Sequence, residues 1–244
     1  MAASRIEIPT TNGVMNCWVA RPEGSPSKRL VILYMDALGP RPTLLAMIER
    51  LAACGFVAVL PNLYHRFGEV APFDVATAFS GGAEQARMLS YFQRLSVADA
   101  LADTAALLAY FDADAETNAP GSVGTLGYCM GGAFALAAAG VFADRVTAAA
   151  SVHGASLATE ALDSPHRLCL RGDARVYAAI AAIDPYFTGA EAARLAGDFY
   201  AGGADFTMQV YPRAAHGFAI ADTPAFNAEA AEAHWSVVEE FLAA

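Results

Sequence analysis

A cysteine lies in a glycine-rich turn where a predicted strand passes into a predicted helix. The segment reads Gly127-Tyr128-Cys129-Met130-Gly131-Gly132, between the predicted strand Val123–Gly127 and the Ala-rich helix predicted over Ala133–Ala143. This is the G-x-C-x-G form of the nucleophile elbow, a strained turn that tolerates almost no side chain two positions before and two positions after the nucleophile. The positive end of the following helix favours a thiolate. The pattern predicts that Cys129 is a nucleophile, although glycine-rich packing around an inert buried cysteine would produce the same sequence pattern.

An elbow nucleophile needs an acid and a histidine, which follow it in that order along the chain. His216 comes just after the predicted strand Phe206–Tyr211, and Asp184 comes just after the predicted strand Arg175–Ile183. Both residues therefore belong to the carboxyl end of the sheet, where sites of α/β proteins form. Asp173 is a second candidate acid, but it precedes its strand and so belongs to the opposite end. Asp184 is the preferred acid. A non-catalytic interpretation remains for each residue: Asp184 could simply form an Asp-Pro turn, and His216 could be an exposed loop histidine.

The other four histidines are not expected to act in catalysis. His234 falls within the predicted last helix, and His166 falls in a long irregular connection. His65 and His153 follow strands but precede the acid in the chain, so we expect them to line a pocket without titrating in a mechanism.

The elements that would position these residues alternate between apolar β-type runs and stretches of helical period, which is typical of a mostly parallel sheet covered by helices. Thr11-Asn12-Gly13 predicts a hairpin and an antiparallel edge at the N-terminus. Ser96 and Asp99 predict the N-terminal cap of a helix. We expect one α/β domain over residues 1–244. The further predicted strands are Leu30–Met35, Phe56–Leu60 and Val146–Val152, and the further helices are Thr43–Cys54, Ala83–Leu95, Val97–Tyr110, Ala190–Tyr200 and Ala225–Leu242.

Composition excludes several classes of protein. The 244 residues carry a formal net charge of −10, which argues against a nucleic-acid binder. Hydrophobic residues make up 56% and charged residues 16%, so the chain is not a disordered one. The four cysteines form no C-x-x-C pair and the histidines show no metal-ligand spacing, so no metal, disulfide framework or cofactor is predicted. The first nine residues show no secretory leader and no apolar run is long enough to cross a membrane, so we expect a cytoplasmic protein.

Taken together, these residues resemble the dienelactone hydrolases, also called carboxymethylenebutenolidases, of the α/β-hydrolase superfamily. The resemblance rests on the Cys129 elbow, on Asp184 and His216 in order, and on the segments Met35–Gly39 and Pro61–Tyr64. It implies an α/β-hydrolase fold and a Cys-His-Asp triad formed by those three residues. It also implies an oxyanion hole made by two backbone N–H groups, those of Ala37 and Met130.

The resemblance assigns further roles around the triad. Asp36 stands where the family places a carboxylate that controls ionisation of the thiol, one methylene shorter than the usual Glu. Arg87, with Tyr91 four residues on, matches one of two arginines that grip a substrate carboxylate, although Arg87 could equally be a solvated charge on a helix. The second arginine is replaced by Ile220. The substrate is then less anionic than a dienelactone, or is gripped elsewhere, for instance by Arg41 or Arg66; Tyr64 and His153 are also expected at the substrate site.

The sequence thus predicts a hydrolase that cleaves a small-molecule ester or lactone through a thioacyl-enzyme intermediate, acting as a monomer. The alternative is a non-catalytic thiol sensor or binding protein on the same fold, with Cys129 as a redox-sensitive thiol. A dinucleotide-binding oxidoreductase is disfavoured, because the turn lacks the G-x-G-x-x-G spacing and places Cys129 where the second Gly would approach a pyrophosphate.

Overall fold

The protein is described by a computed structural model that covers residues 2–24, 29–114 and 121–244. The backbone divides into two compact units of equal length, Met1–Ser122 and Val123–Ala244. The expectation of a single domain over the whole chain stays a prediction. Among the described residues, no helix combines the length and the apolar character needed to cross a bilayer.

The first unit contains the antiparallel strands predicted for the N-terminus. β1 and β2 form a hairpin in which Thr10 pairs with Gly13, and Gly13 has a φ of +116° that favours glycine. β2 is also antiparallel to β4, whereas β3 is parallel to β4. The strand order in this unit is β1-β2-β4-β3, with bounds β1 Ser4–Thr10, β2 Gly13–Ala20, β3 Leu30–Tyr34 and β4 Val57–Pro61.

The helices of the first unit agree closely with the sequence pattern. α1 starts on a proline at its first turn, where a missing N–H costs nothing. α3 begins with the predicted capping box, in which the Ser96 side chain accepts from the Asp99 N–H and the Asp99 carboxylate accepts from the Ser96 N–H. The bounds are α1 Pro42–Ala53, α2 Gly82–Arg94 and α3 Val97–Asp112, and a short 3-10 helix spans His65–Phe67.

The second unit is a run of parallel strands joined by helices. Each strand pairs in parallel with the next in the order β5-β6-β7-β8. The bounds are β5 Val123–Tyr128, β6 Val146–Val152, β7 Arg175–Ile183 and β8 Phe206–Ala215 for strands, and α4 Met130–Val141, α5 Pro165–Cys169, α6 Gly189–Ala201 and α7 Ala228–Ala243 for helices.

Three differences from the sequence prediction bear on the site. α4 begins at Met130, directly after Cys129, rather than at Ala133. β8 continues to Ala215, four residues beyond the predicted end, and brings the chain directly to His216. The long irregular connection contains α5, which is too short to show a helical period in the sequence.

Candidate active site

Cys129 occupies a strained turn between β5 and α4. Its φ is 54° and its ψ is −119°, a combination that residues with a side chain rarely adopt. A Cβ added at Gly127 would lie 1.9 Å from the backbone oxygen of Gly131, so no other residue fits there. A Cβ at Gly132 would lie 2.3 Å from Oγ of Ser151, so α4 can pack this closely on β6 only with glycine at that position. Gly127 is therefore required by a contact within the turn, and Gly132 by the close packing of α4 on β6.

The local environment separates Cys129 from the other cysteines. Cys129 is the N-cap of α4, so its sulfur lies at the positive end of the helix, and it is partly exposed. Burial raises the pKa of Cys17 to about 12, with Asp103 adding to the effect, and burial raises the pKa of Cys169 to about 12. A thiol with so high a pKa is not ionised near neutral pH, so Cys17 and Cys169 are inert. The fourth cysteine, Cys54, is exposed on the surface.

Asp184 and His216 form a buried hydrogen-bonded pair at the ends of adjacent strands. Oδ2 of Asp184 lies 2.8 Å from Nδ1 of His216, and the side chains are 2% and 10% exposed. Oδ1 of Asp184 accepts a hydrogen bond of 2.8 Å from the N–H of Tyr186, so both carboxylate oxygens are engaged. The N–H of His216 donates to the carbonyl of Ile183 at 3.0 Å. Asp173, the alternative acid, is exposed before the start of β7.

The charge state of His216 depends on Cys129. Burial opposes a positive charge on His216, but the interaction with the Cys129 sulfur and the hydrogen bond that His216 donates to Asp184 outweigh it and raise the pKa of His216 to about 10. Nε2 of His216 is buried and makes no hydrogen bond of regular geometry among the described residues. Since Nδ1 of His216 bonds Asp184, Nε2 is the ring nitrogen left to exchange a proton with a bound molecule.

Two further rings contact the His216 imidazole. The ring of His153 lies 5.1 Å away between centroids and the ring of Tyr186 lies 4.7 Å away, each at an interplanar angle of 64°. His153 is buried, and neither of its ring nitrogens has a hydrogen-bond partner among the described residues. Burial and the neighbouring His216 hold the pKa of His153 well below its ordinary value, so His153 is neutral. His153 supports the site from inside and is not part of an open lining.

Tyr186 is the site residue that sequence reasoning missed. Its side chain follows Asp184-Pro185 directly, and it is 45% exposed. A signal was present, because the residues immediately after the acid of a triad must pass close to the histidine. The exposed loop position gave no hydrophobic pattern from which to recognise it.

Residues 152–156, here called the clamp loop, hold the elbow by its backbone. The N–H of Cys129 donates to the carbonyl of Val152 at 3.2 Å, and the carbonyl of Cys129 accepts from the N–H of Ala155 at 3.1 Å. The N–H of Ser156 donates to the carbonyl of Tyr186 at 3.1 Å. Since the Tyr186 N–H donates to the side chain of Asp184, a series of hydrogen bonds links the Cys129 turn to Asp184.

In the first unit, Asp36 is bound within its own loop. Its Oδ1 and Oδ2 accept from the two terminal nitrogens of Arg41 at 2.7 and 2.8 Å, and Oδ1 also accepts from the N–H of Leu38 at 3.0 Å. The pair is nearly buried, with side chains 10% and 6% exposed for Arg41 and Asp36. This carboxylate holds the backbone that contains Ala37.

The arginines considered as substrate grips are all engaged in ion pairs. Besides Arg41, Arg66 bonds the carboxylates of Asp99 and Asp103 at 2.8 and 2.6 Å. Arg87 bonds both carboxylate oxygens of Glu84 at 2.7 and 2.9 Å. Arg87 also donates to the carbonyls of residues 71 and 72 and lies over the Phe73 ring at 4.0 Å. Arg87 therefore holds residues 71–73 against α2, and its contact with a substrate stays a prediction.

Tyr64 and Tyr91 belong to an aromatic cluster beside Arg87. Their ring centroids are 5.5 Å apart, and each also contacts the rings of Phe67 and Phe73. The hydroxyl of Tyr64 donates to the carbonyl of Ala37 at 2.9 Å, and the side chain is fully buried. Tyr64 therefore orients the loop of Ala37 from within the core.

The remaining positions are structural. Ile220, where the resemblance expects an arginine, is fully buried. His65 pairs with Asp103, His166 pairs with Asp198, and His234 bonds the hydroxyl of Tyr128. No group of three or more His, Cys, Asp or Glu side chains in the described ranges could hold a metal ion.

Comparison with known proteins places this arrangement in a family. The model of the dienelactone hydrolase family matches residues 15–244. The chain belongs to that family. It is 33% identical to a carboxymethylenebutenolidase of Pseudomonas sp. (strain P51) over 106 residues, which cover 43% of this chain and 42% of that protein. It is 26% identical over 240 residues to a Synechocystis sp. protein provisionally named carboxymethylenebutenolidase, covering 97% and 94% of the two chains.

Solved structures confirm the fold class. A Klebsiella pneumoniae protein provisionally named dienelactone hydrolase superimposes with a TM-score of 0.82 at 22% identity, covering 99% of this chain and 98% of that one. A dienelactone hydrolase-like promiscuous phosphotriesterase from metagenomic libraries gives 0.78 at 21% identity, covering 100% and 98%. The fold is the predicted α/β-hydrolase fold, mostly parallel with antiparallel N-terminal strands, and family membership supports an ester or lactone hydrolase.

Proposed function

We propose that the protein hydrolyses carboxylic esters or lactones with Cys129 as nucleophile, His216 as acid and base, and Asp184 as the group that orients His216. One observation carries the proposal. The strained, partly exposed Cys129 at a helix N-terminus interacts with an imidazole that is hydrogen-bonded at 2.8 Å to a buried carboxylate. Cys129 and Asp184 together raise the pKa of that imidazole, His216, to about 10.

In the acylation step, the thiolate attacks the carbonyl carbon and forms a C–S bond, while the carbonyl oxygen takes the negative charge. The N–H of Met130, at the first residue of α4, stabilises this oxyanion, and the resemblance assigns the second donor to the N–H of Ala37. The C–O bond to the leaving group then breaks, and Nε2 of His216 gives its proton to the departing oxygen. A thioester remains on Cys129.

Hydrolysis of the thioester reverses the proton transfers. His216, now neutral, takes a proton from water through Nε2, and the resulting hydroxide adds to the thioester carbonyl. The C–S bond breaks to release the acid and restore the thiolate beside the imidazolium. Asp184 holds the proton of His216 on Nδ1 throughout, so that Nε2 is the nitrogen that exchanges protons.

The proposed substrate is neutral or weakly anionic. The three arginines considered as carboxylate grips are each bound to acidic side chains, and Ile220 is buried at the position of the missing one. Because a thiolate is itself a good leaving group, its addition to a carbonyl is productive when the group it displaces also leaves easily, as in activated esters, enol esters and lactones. Unactivated amides have a poor leaving group and react poorly. We therefore propose esterase or lactonase activity with little peptidase activity.

The test compares p-nitrophenyl acetate, a neutral enol lactone and a carboxylated dienelactone as substrates of the wild type and of Cys129→Ala. We expect turnover that depends on Cys129 and favours the neutral compounds. Cys54→Ala is the matched control, because Cys54 is the other exposed thiol. Full activity in Cys129→Ala would overturn the mechanism, and oxidation of Cys129 without any ester turnover would favour the thiol-sensor alternative.

The cellular setting is also a proposal. We propose a cytoplasmic monomer without nucleic-acid or membrane partners. The formal net charge of −10 supports the absence of a nucleic-acid partner. Size-exclusion chromatography with light scattering tests the monomer directly, and an elution mass of two chains would contradict it.

A further inference from the structure

The backbone of Tyr186 is hydrogen-bonded to Asp184 through its N–H and to the clamp loop through its carbonyl. Its N–H donates to Oδ1 of Asp184 at 2.8 Å, and its carbonyl accepts from the N–H of Ser156 in the clamp loop at 3.1 Å. Neither bond uses the Tyr186 side chain. Any residue with a backbone N–H can therefore make the same two bonds, and the Tyr186 ring takes no part in them.

The Tyr186 ring contacts His216 and is also open to solvent. Its centroid lies 4.7 Å from the imidazole centroid, closer than the 5.1 Å of His153. Tyr186 is 45% exposed, whereas His153 is 1% exposed. Of the two rings beside the imidazole, Tyr186 is the one that a bound molecule can touch.

The chemistry of acylation brings the leaving group to the imidazole that this ring contacts. The departing oxygen must come within about 3 Å of Nε2 of His216 to take its proton. The group attached to that oxygen therefore lies against the surroundings of the imidazole, and a planar ring on the oxygen spans a few ångströms, about the separation between His216 and Tyr186. The acyl group, by contrast, stays on Cys129.

We propose that Tyr186 is a specificity-determining residue that favours esters with aromatic or planar enol leaving groups over esters with aliphatic ones. The inference rests on the proposed esterase function and narrows its substrate class. An aromatic pair in an offset or edge-to-face arrangement corresponds to a preference of about two- to ten-fold in kcat/KM.

The experiment uses two acetate esters with activated leaving groups, phenyl acetate and 2,2,2-trifluoroethyl acetate. Both give the same acetyl thioester on Cys129, so kcat/KM reports acylation alone and the hydrolysis of the thioester is a common step. The variants are Tyr186→Phe, which keeps the ring, and Tyr186→Leu, which keeps apolar bulk without aromaticity. Tyr200→Ala is the control, because Tyr200 is an 85% exposed tyrosine on α6.

We expect Tyr186→Leu to lower kcat/KM for phenyl acetate two- to ten-fold more than for trifluoroethyl acetate. We expect Tyr186→Phe and Tyr200→Ala to keep the wild-type ratio, and the rate of thioester hydrolysis to be unchanged in all variants. Equal losses on both esters in Tyr186→Leu would show that the ring only positions His216, and no loss on either ester would show that it does not contact the leaving group; either result overturns the inference.

Failure of the proposed function gives a different result. If Cys129→Ala hydrolyses both acetates at the wild-type rate, the nucleophile is wrong whatever the Tyr186 variants do. If Cys129 is essential and the ratio does not move, only the role of Tyr186 is wrong.

Discussion

Asp184→Asn should inactivate the enzyme by placing the proton of His216 on the wrong nitrogen. The structure fixes how an asparagine would sit, because the N–H of Tyr186 donates to Oδ1 at 2.8 Å. The amide oxygen has to take that position, since an NH₂ group there would meet a second donor. The amide NH₂ then faces Nδ1 of His216, 2.8 Å from the present Oδ2.

An NH₂ group that faces Nδ1 requires Nδ1 to be an acceptor. The neutral imidazole must then carry its proton on Nε2, where it cannot accept a proton from water, and the imidazolium is disfavoured because its Nδ1–H would meet another donor. The same substitution in the triad of serine proteases lowers kcat about 10⁴-fold through the wrong tautomer. We expect a loss of about 10³- to 10⁴-fold here, which is about 4–5.5 kcal/mol of transition-state stabilisation.

The assay combines kinetics with a direct measure of the tautomer. We expect kcat for p-nitrophenyl acetate to fall by the stated factor, ¹⁵N NMR of His216 to show the proton on Nε2, and alkylation of Cys129 by iodoacetamide at pH 7 to slow. Asp173→Asn, the same change at the exposed alternative acid, should leave all three measurements at wild-type values. A variant Asp184→Asn that kept a tenth of the wild-type kcat, or that kept the proton on Nδ1, would refute the reasoning.

Three other predictions concern the elbow, the acid–base pair and the Asp36 loop. Gly127→Ala should lower the free energy of unfolding, measured by urea denaturation, by about 3 kcal/mol or more, since the new Cβ would lie 1.9 Å from a backbone oxygen. Gly197→Ala is the control: a Cβ there meets nothing within 4 Å, so this variant should raise the free energy of unfolding by about 0.5–1 kcal/mol. Because the folded state raises the pKa of His216 from 6.5 to about 10, its stabilising effect is complete below pH 6.5 and is lost as the pH rises to 10. The wild type should therefore lose stability relative to His216→Asn across that window, by up to about 1.4 kcal/mol per pH unit, and parallel curves would contradict this. Arg41→Gln should cost about 3 kcal/mol by leaving the buried Asp36 charge without its partner, and adding Asp36→Asn should restore part of that loss; an additive double variant would contradict the pairing.

The places of Cys129, Asp184 and His216 in the fold could be predicted because steric and directional rules constrain them, and their catalytic roles stay a prediction. The elbow glycines follow from the turn, and the choice of Asp184 over Asp173 followed from which end of β7 each residue occupies. The order of the strands and the residues that flank them are sufficient for both conclusions. The structure brings Asp184 and His216 to hydrogen-bonding distance as that order requires.

The ion-pair partners of the arginines could not be predicted with the same certainty. Arg66 meets Asp103 across 37 positions of the chain, which no local pattern reveals. Arg87 is a different case, since Glu84 precedes it by three residues on α2, a spacing that favours a pair on one helix face. The resemblance to a substrate-gripping arginine outweighed that local signal in the sequence analysis.

The errors at the element boundaries also have physical causes. α4 starts at Met130 rather than Ala133 because its first residues are glycines, which have low helix propensity and look like part of a loop. β8 passes through Pro212, which a sequence pattern treats as a strand end. The proline is tolerated because β8 is the last strand in the order of its unit, where one missing N–H removes no bond to a further strand of that unit.

The linkage between nucleophile and acid explains how specificity can change without loss of chemistry. Cys129 is held by the carbonyl of Val152 and the N–H of Ala155, and the clamp loop is joined through Ser156 to the carbonyl of Tyr186. All of these are main-chain groups, so a substitution that leaves the backbone conformation unchanged also leaves these hydrogen bonds in place. The Tyr186 side chain, half exposed beside His216, can therefore vary with the substrate while the backbone keeps the reacting groups in register. A residue inserted into the clamp loop should be far more damaging than any substitution of Tyr186, because it would shift the elbow and the acid relative to each other.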